Sequence, residues 1–148
     1  MEGSAALISI RPVYTEKILA GEKRLEFRRR WTTRHIDFLV VYATSPVKQI
    51  VAIVKVDEVI RGSKSKLWEL ARSCGGGISQ RDLFAYMEGV REGVALRFSE
   101  VIKFTEGMNP TVVFDPDFRP PQWFRYLRQN ELVELTKQIR GKAWESYS

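Results

Sequence analysis

Two strongly apolar segments, 37–43 and 49–60, constrain the fold of this chain more than any other feature. The first, DFLVVYA, is too continuously apolar for an exposed strand, and the second, QIVAIVKVDEVI, is long and rich in β-branched residues. Ser45 and Pro46 between them mark a turn. The sequence therefore predicts two central strands of a sheet, against which the other segments must pack.

The rest of the chain predicts short strands and helices in an irregular order. The predicted elements are a buried strand at 5–10, a helix from Pro12 to Gly21, a strand at 24–30, helices at 64–74 and 79–89, a strand from 93 with a bulge near Ser99, a proline-rich strap at 107–121 with a short strand at 111–114, and a helix at 130–141. This order lacks the regular alternation of a doubly wound sheet. We therefore predict an α+β fold, a small and mostly antiparallel barrel with peripheral helices.

Length and cysteine content predict a single-domain protein of a reducing compartment. The 148 residues suit one domain, and no repeat, linker or low-complexity tract divides them. The only cysteine, Cys74, cannot form an internal disulfide, and there is neither a leader nor a run of about 18 apolar residues. We therefore expect a cytoplasmic protein that does not enter a membrane.

Positive charge is concentrated near the start of the chain. The net charge is +6, from 24 Lys and Arg against 18 Asp and Glu, and the segment 11–34 has eight basic and three acidic residues, so it carries +5 of that total. Such a segment favours a polyanionic partner.

Gly75 to Gly77 lack the Gly-Lys-Ser/Thr of a phosphate loop, and one histidine, His35, with one cysteine cannot build a usual zinc site. We expect neither a metal nor a cofactor.

The segment GEKRLEFRRR, residues 21–30, is the candidate site. Leu25 and Phe27 alternate with polar residues and should face the core, so Glu26 and Arg28 project together from the other side and can form an ion pair. One interpretation is a solvated salt bridge. The other is a site where Lys23 and Arg28 bind a phosphate or a base edge, while Glu26 accepts a hydrogen bond from an exocyclic amine or a ribose hydroxyl.

The opening stretch ISIRPVYTEKILAGEKRLEFRRR resembles that of the ASCH domain, a branch of the PUA-like superfamily. The hallmark of that domain is a G-x-K-x-x-E-x-R motif after the first helix, and Gly21, Lys23, Glu26 and Arg28 match it in register. YATSPVKQIVAIVKVDEVI, ISQRDLFAYMEGVREGVALRF and PPQWFRYL resemble later parts of the family. The resemblance covers residues 7–128 of a single domain, 1–148, and leaves 129–148 as a C-terminal helical extension.

The resemblance implies a PUA-like, mostly antiparallel β pseudo-barrel with a cleft beside the motif strand, and RNA binding connected with the regulation of translation or transcription. Some relatives are enzymes: amidohydrolases that remove the acetyl group from N4-acetylcytidine, and a ribonuclease. In the amidohydrolases a threonine nucleophile lies three residues after the motif lysine, and this chain has Glu26 there. A carboxylate cannot replace the hydroxyl in that mechanism.

The leading hypothesis from the sequence is therefore a non-catalytic module that binds RNA or a nucleotide. The alternatives are a hydrolase, acting on a modified nucleoside such as N4-acetylcytidine or on RNA, with Lys23 and Glu26 as catalytic candidates, and an interaction domain for an acidic protein. The predicted nucleic-acid-binding residues are Lys23, Glu26, Arg28, Arg29, Arg30, Trp31, Tyr14 and Tyr42.

Overall fold

A seven-stranded sheet with five helices makes up the described part of the chain, which in this computed structural model is residues 3–141 and 144–147. The elements are β1 Ala5–Ile10, α1 Pro12–Leu19, β2 Leu25–Arg28, β3 Phe38–Ala43, β4 Gln49–Gly62, α2 Lys64–Cys74, α3 Gln80–Tyr86, β5 Gly93–Met108, α4 Pro110–Val113, β6 Phe124–Tyr126, α5 Gln129–Arg140 and β7 Trp144–Tyr147. None of the described helices has the length and apolar character needed to cross a membrane.

The strands form a curled, mostly antiparallel half-barrel in the order β2-β5-β4-β3-β1-β6. Only the β1–β3 pair is parallel among the described strands. The predicted bulge is confirmed, because Lys55 pairs with Glu100 and Val56 with Phe98, which leaves Ser99 without a partner on β4. Before this bulge β5 pairs with β2, and after it β5 pairs with β7. The predicted α+β class with a mostly antiparallel, curled sheet is thus confirmed.

Both faces of the central strands are covered, which explains their continuous apolar sequence. Ile8 and Val41 belong to a core cluster on one face, whereas their neighbours Leu7 and Val40 belong to a cluster on the other face. A third cluster joins Leu25 and Phe27 of β2 to α2 and α3. Burying each large apolar side chain contributes about 1.5–3 kcal/mol, so the third cluster fixes β2 against α2 and α3.

The C-terminal third differs from the prediction. Residues 110–113 form the helical turn α4, not a strand, because Pro110 suits a first helical position and the Asn109 side chain accepts a hydrogen bond from the backbone N–H of Thr111. The predicted helical extension at 129–148 is wrong at its C-terminal end. Helix α5 stops at Arg140, and residues 144–147 form strand β7, which pairs with β5. Residues 1, 2, 142, 143 and 148 of the predicted domain lie outside the described residues.

Candidate functional site

The motif occupies the turn between α1 and strand β2. Gly21 has a φ of 79°, a left-handed conformation that glycine adopts without strain. The backbone N–H groups of Glu22 and Lys23 then donate to the carbonyl of Lys17, which closes the end of the helix. Pairing of β2 with β5 fixes residues 25–28. Helix termination and strand pairing together place Lys23, Glu26 and Arg28 in one region.

These three side chains lie in a cleft of about 740 Å³ between α1, β2 and α3. We call it the motif cleft. Its lining includes four cationic side chains, two carboxylates and two tyrosines: Arg11, Lys17, Lys23, Arg28, Glu26, Asp82, Tyr14 and Tyr86. Arg11 is exposed, while Lys23, Glu26 and Arg28 are buried. The cleft therefore has a buried, charged floor and a partly open, cationic side.

Lys23 is among the most deeply buried residues, with 1% of its surface exposed. Its Nζ donates to the carbonyl of Gly76 at 2.8 Å and lies 3.8 Å from Glu26 Oε1. The same ammonium lies 5.1 Å from the ring centroids of Tyr14 and Phe27, within range of a cation–π interaction. Burial lowers the pKa of Lys23 below its ordinary value, and the Glu26 carboxylate opposes that shift only in part.

Glu26 and Arg28 form a buried ion pair beside the lysine, in which two guanidinium nitrogens donate to one carboxylate oxygen. Arg28 donates from Nε at 3.1 Å and from Nη2 at 2.8 Å to Glu26 Oε2, and Nη2 also donates to the carbonyl of Ser9 at 2.9 Å. Only 7% of Glu26 and 8% of Arg28 is exposed. The interpretation of this pair as a solvated salt bridge is therefore wrong, because the sheet face opposite Leu25 and Phe27 is covered as well.

One oxygen of the Glu26 carboxylate is available to a ligand. Glu26 Oε1 makes no hydrogen bond within the described residues, and neither does Arg28 Nη1. No fully buried polar side-chain atom in the described part of the chain lacks a partner, so these two atoms keep some accessible surface, and both residues line the cleft. The floor thus presents an acceptor and a donor next to the Lys23 ammonium. The acceptor and the donor can hydrogen-bond to the polar edge of a neutral base or to a hydroxyl group, while the Lys23 ammonium binds an anion beside it.

The triple glycine 75–77 packs on Lys23 beside the motif cleft. The carbonyl of Gly76 accepts from Lys23, and that of Gly77 accepts from Lys17 Nζ at 3.1 Å. A Cβ on Gly77 would lie 2.7 Å from the Cβ of Lys23. Only a residue without a side chain permits this contact.

Gly77→Ala is expected to lower the free energy of unfolding more than Gly89→Ala. Both glycines have a positive φ, 65° at Gly77 and 76° at Gly89, so each alanine costs about 1–2 kcal/mol of backbone strain. At Gly89 a Cβ would meet nothing within 4 Å, whereas at Gly77 it would collide with Lys23. Urea denaturation of both variants measures the difference. Equal losses would show that the loop does not pack on Lys23.

The stability of the protein is expected to depend on pH through Lys23. Its pKa is lowered in the folded state, so between that pKa and 10.5 the unfolded chain binds more protons and the free energy of unfolding rises with pH. Burial raises the pKa of Tyr42, Tyr86 and Tyr147, which lowers stability above about pH 10 and would mask the effect in the wild type alone. Lys23→Met, measured by urea denaturation from about pH 7 to 10, provides the comparison. Because the variant lacks the titrating amine, the free energy of unfolding of the wild type should rise relative to that of the variant as pH rises. A constant difference would contradict a lowered pKa.

The structure brings together only part of the predicted nucleic-acid-binding set. Tyr14, Lys23, Glu26 and Arg28 line the motif cleft, as the sequence predicts. Arg29 and Arg30 are exposed and do not line it, while Trp31 and Tyr42 are buried in the core clusters on the two faces of the sheet. Trp31 and Tyr42 are buried because both faces of the sheet are covered. The period-two pattern within β2 does not reveal that cover.

Four of the charged and tyrosine residues that line the cleft were not singled out from the sequence as site residues: Arg11, Lys17, Asp82 and Tyr86. Arg11 and Lys17 had been counted only in the basic segment, and the position of α1 against β2 brings them to the motif. Tyr86 reaches the cleft because α3 packs on β2 through Leu83. No local signal marks Tyr86, since this contact joins segments far apart in sequence. Among the described residues no group of three or more His, Cys, Asp or Glu side chains could hold a metal ion.

Comparisons with known proteins give one consistent result. A family model described as "ASCH domain" matches residues 8–111. A curated protein from Zymomonas mobilis subsp. mobilis, described as an ASCH domain-containing ribonuclease, is 29% identical over 140 residues, which cover 90% of this chain and 93% of that protein.

Solved structures give the same fold. The crystal structure of ASCH from Zymomonas mobilis superposes with a TM-score of 0.80 at 24% identity and covers 94% of this chain and 96% of its own. A tyrosine-to-phenylalanine variant of that protein superposes with a TM-score of 0.78 at 23% identity, covering 94% and 99%. At this level of identity the match establishes the arrangement of strands and helices.

Proposed function

The chain belongs to the ASCH domain family, and on this premise we propose that it is a ribonuclease whose motif cleft holds one unpaired nucleotide of an RNA strand. The observation that carries the proposal is the buried floor of Lys23, Glu26 and Arg28, which lines the cleft and leaves Glu26 Oε1 without a hydrogen bond from Arg28. The ribonuclease among the relatives favours catalysis over the non-catalytic module that the sequence suggested first.

The lining of the motif cleft suits a nucleotide. Four cationic side chains against two carboxylates attract an anion, and a volume of about 740 Å³ is within the usual range for small-molecule sites. Tyr14 and Tyr86 offer aromatic surface for a base, which is how unstacked RNA bases are commonly held. Arg11 and Lys17 can bind the phosphates on either side of it.

The floor supplies groups for cleavage of an RNA phosphodiester. In this scheme Glu26 Oε1 takes the proton of a ribose 2′-hydroxyl, and the 2′-oxygen then bonds to the adjacent phosphorus. The bond from phosphorus to the 5′-oxygen breaks, and water protonates the leaving oxygen. Lys23 and Arg28 stabilise the negative charge that accumulates on the phosphate. The products are a 2′,3′-cyclic phosphate and a free 5′-hydroxyl.

Incubation with an end-labelled, mixed-sequence RNA tests the proposal. The wild-type protein should release fragments that end in a cyclic phosphate, and the DNA strand of the same sequence should stay intact because it has no 2′-hydroxyl. Lys23→Met should abolish the fragments, whereas Lys103→Met, on β5, should not. RNA that binds without being cut would support the non-catalytic module, and deacetylation of N4-acetylcytidine by the same preparation would support the amidohydrolase alternative.

A further inference from the structure

The loop 29–34, which we call the arginine loop, leaves the motif cleft directly after Arg28 and leads to β3. Three of its six residues are arginines, and Arg29, Arg30 and Arg34 are all exposed. It borders a second groove of about 390 Å³, whose lining includes Arg34 and Arg61. Cationic side chains therefore continue from the cleft across the adjoining surface.

Contacts with the protein hold the three guanidinium groups in place. Arg29 Nη1 donates to the carbonyls of Tyr86 at 2.8 Å and Glu88 at 3.1 Å, at the end of α3. The Cζ of Arg30 lies 4.9 Å from the ring centroid of Trp123, and that of Arg34 lies 4.2 Å from the ring centroid of Tyr126. These are cation–π contacts, which orient a guanidinium and leave N–H donors at its edge available.

The backbone of the arginine loop is anchored as well. Trp31 is buried, with its ring centroid 4.5 Å from that of Phe124. Thr32 Oγ1 accepts from the Tyr126 hydroxyl at 2.8 Å and from the backbone N–H of Arg34 at 3.0 Å, and the Thr32 carbonyl accepts from Arg61. A loop fixed in this way loses little conformational entropy when a ligand binds.

The arginine loop also lacks the acidic partners that other arginines have. Among the described residues, Arg28, Arg72, Arg97 and Arg125 each have a carboxylate within 4.0 Å. No such ion pair involves Arg29, Arg30 or Arg34 within the same part of the chain. Asp57 and Glu58 line the same groove as Arg34 but form no ion pair with it, and Asp57 pairs with Arg97. Three fixed cations without an ion-pair partner on six residues therefore form a site for a chain of anions.

We propose that the arginine loop is a second RNA contact, which binds phosphates of the nucleotides that flank the one in the motif cleft. This inference rests on the proposed function and specifies its substrate class as single-stranded RNA extending well beyond the cleft. A six-residue loop spans at most about 20 Å, so the loop can contact several consecutive phosphates. The contact is independent of base identity because it involves only the backbone.

Salt-dependent binding tests the arginine loop. Fluorescence anisotropy with a labelled RNA dodecamer should give a slope of log affinity against log salt that is lower by about 1.4 for Arg30→Ala/Arg34→Ala, since each lost phosphate contact on a single strand contributes about 0.7. The same variant should bind an RNA dinucleotide, which fills only the cleft, as the wild type does. Arg72→Ala/Arg140→Ala, exposed arginines on α2 and α5, removes the same charge as a control and should keep the wild-type slope.

The outcomes separate this inference from the proposed function. An unchanged slope, or an equal loss in the control variant, overturns the inference even if the wild type cleaves RNA. Polyglutamate, a polyanion without bases, is added as a competitor of the dodecamer. Equal displacement from the wild type and from Arg30→Ala/Arg34→Ala means that the competition does not involve the arginine loop, which also overturns the inference. Displacement from the wild type alone supports an arginine loop that binds a chain of backbone anions. A reduced slope in Arg30→Ala/Arg34→Ala, found together with a wild type that binds RNA without cutting it, supports the inference and defeats the ribonuclease proposal.

Discussion

The Glu26→Gln variant is expected to cleave RNA about 10²- to 10⁴-fold more slowly than the wild-type protein, which is the usual effect of removing a general base. Glutamine has the shape of glutamate and keeps an oxygen for the two hydrogen bonds from Arg28, but its amide cannot take the proton of a 2′-hydroxyl. The measurement is the single-turnover rate on a saturating RNA oligonucleotide, with affinity determined separately by anisotropy. Affinity should change by much less than the rate.

Two controls make the Glu26→Gln result interpretable. Glu100→Gln, an exposed residue on β5, removes one negative charge elsewhere and should keep the wild-type rate. Glu26→Asp keeps the charge that balances Lys23 and Arg28 but withdraws the carboxylate by one methylene, so it should preserve the fold while losing rate. A wild-type rate in Glu26→Gln would exclude this residue as the base. Equal losses of rate and affinity in both Glu26 variants would mean that Glu26 positions the substrate only.

The spacing of the motif has a physical explanation in the structure. Gly21 ends α1 and allows the reversal, and the turn carries Lys23 back under the triple glycine 75–77. Residues 26 and 28 are separated by one strand period, so their side chains meet on one face of β2. The sequence predicts the placement of Glu26 and Arg28 because it depends on a helix end and a strand, which are both local, whereas the contact of Lys23 with Gly76 joins distant segments. The same reasoning predicts the bounds of β1 and α2 correctly.

What the sequence could not reveal is set by contacts between distant segments. Burial of the Glu26–Arg28 pair depends on β1, whose Ser9 carbonyl accepts from Arg28. Tyr42 was a predicted nucleic-acid-binding residue, but β3 is covered on both faces and this ring packs in the cluster opposite Trp31. The short strands β6 and β7 carry too few residues for a period-two signal, and they exist because β1 and β5 offer free edges.

The Arg28→Met variant is expected to lower the free energy of unfolding by about 3 kcal/mol. Removing one partner of a buried ion pair typically costs about 3–5 kcal/mol because the remaining charge is left uncompensated. The lower end applies here, since Lys23 Nζ remains 3.8 Å from the Glu26 carboxylate. The Ser9 carbonyl also loses a donor. Urea denaturation at neutral pH measures the loss, and Glu26→Gln/Arg28→Met should recover part of it because the buried carboxylate is then neutral.

Arg72→Met is the matched control, because its ion pair with Glu69 has a similar distance, 2.6 Å against 2.8 Å, but is exposed. An exposed helical pair contributes about 0.3–0.5 kcal/mol, so the two arginines should differ several-fold in their effect on stability. The comparison isolates burial, since both variants replace the same guanidinium by the same apolar side chain. Similar small losses would mean that water reaches the Glu26–Arg28 pair, and a solvated pair would give a weaker, more salt-sensitive site for RNA.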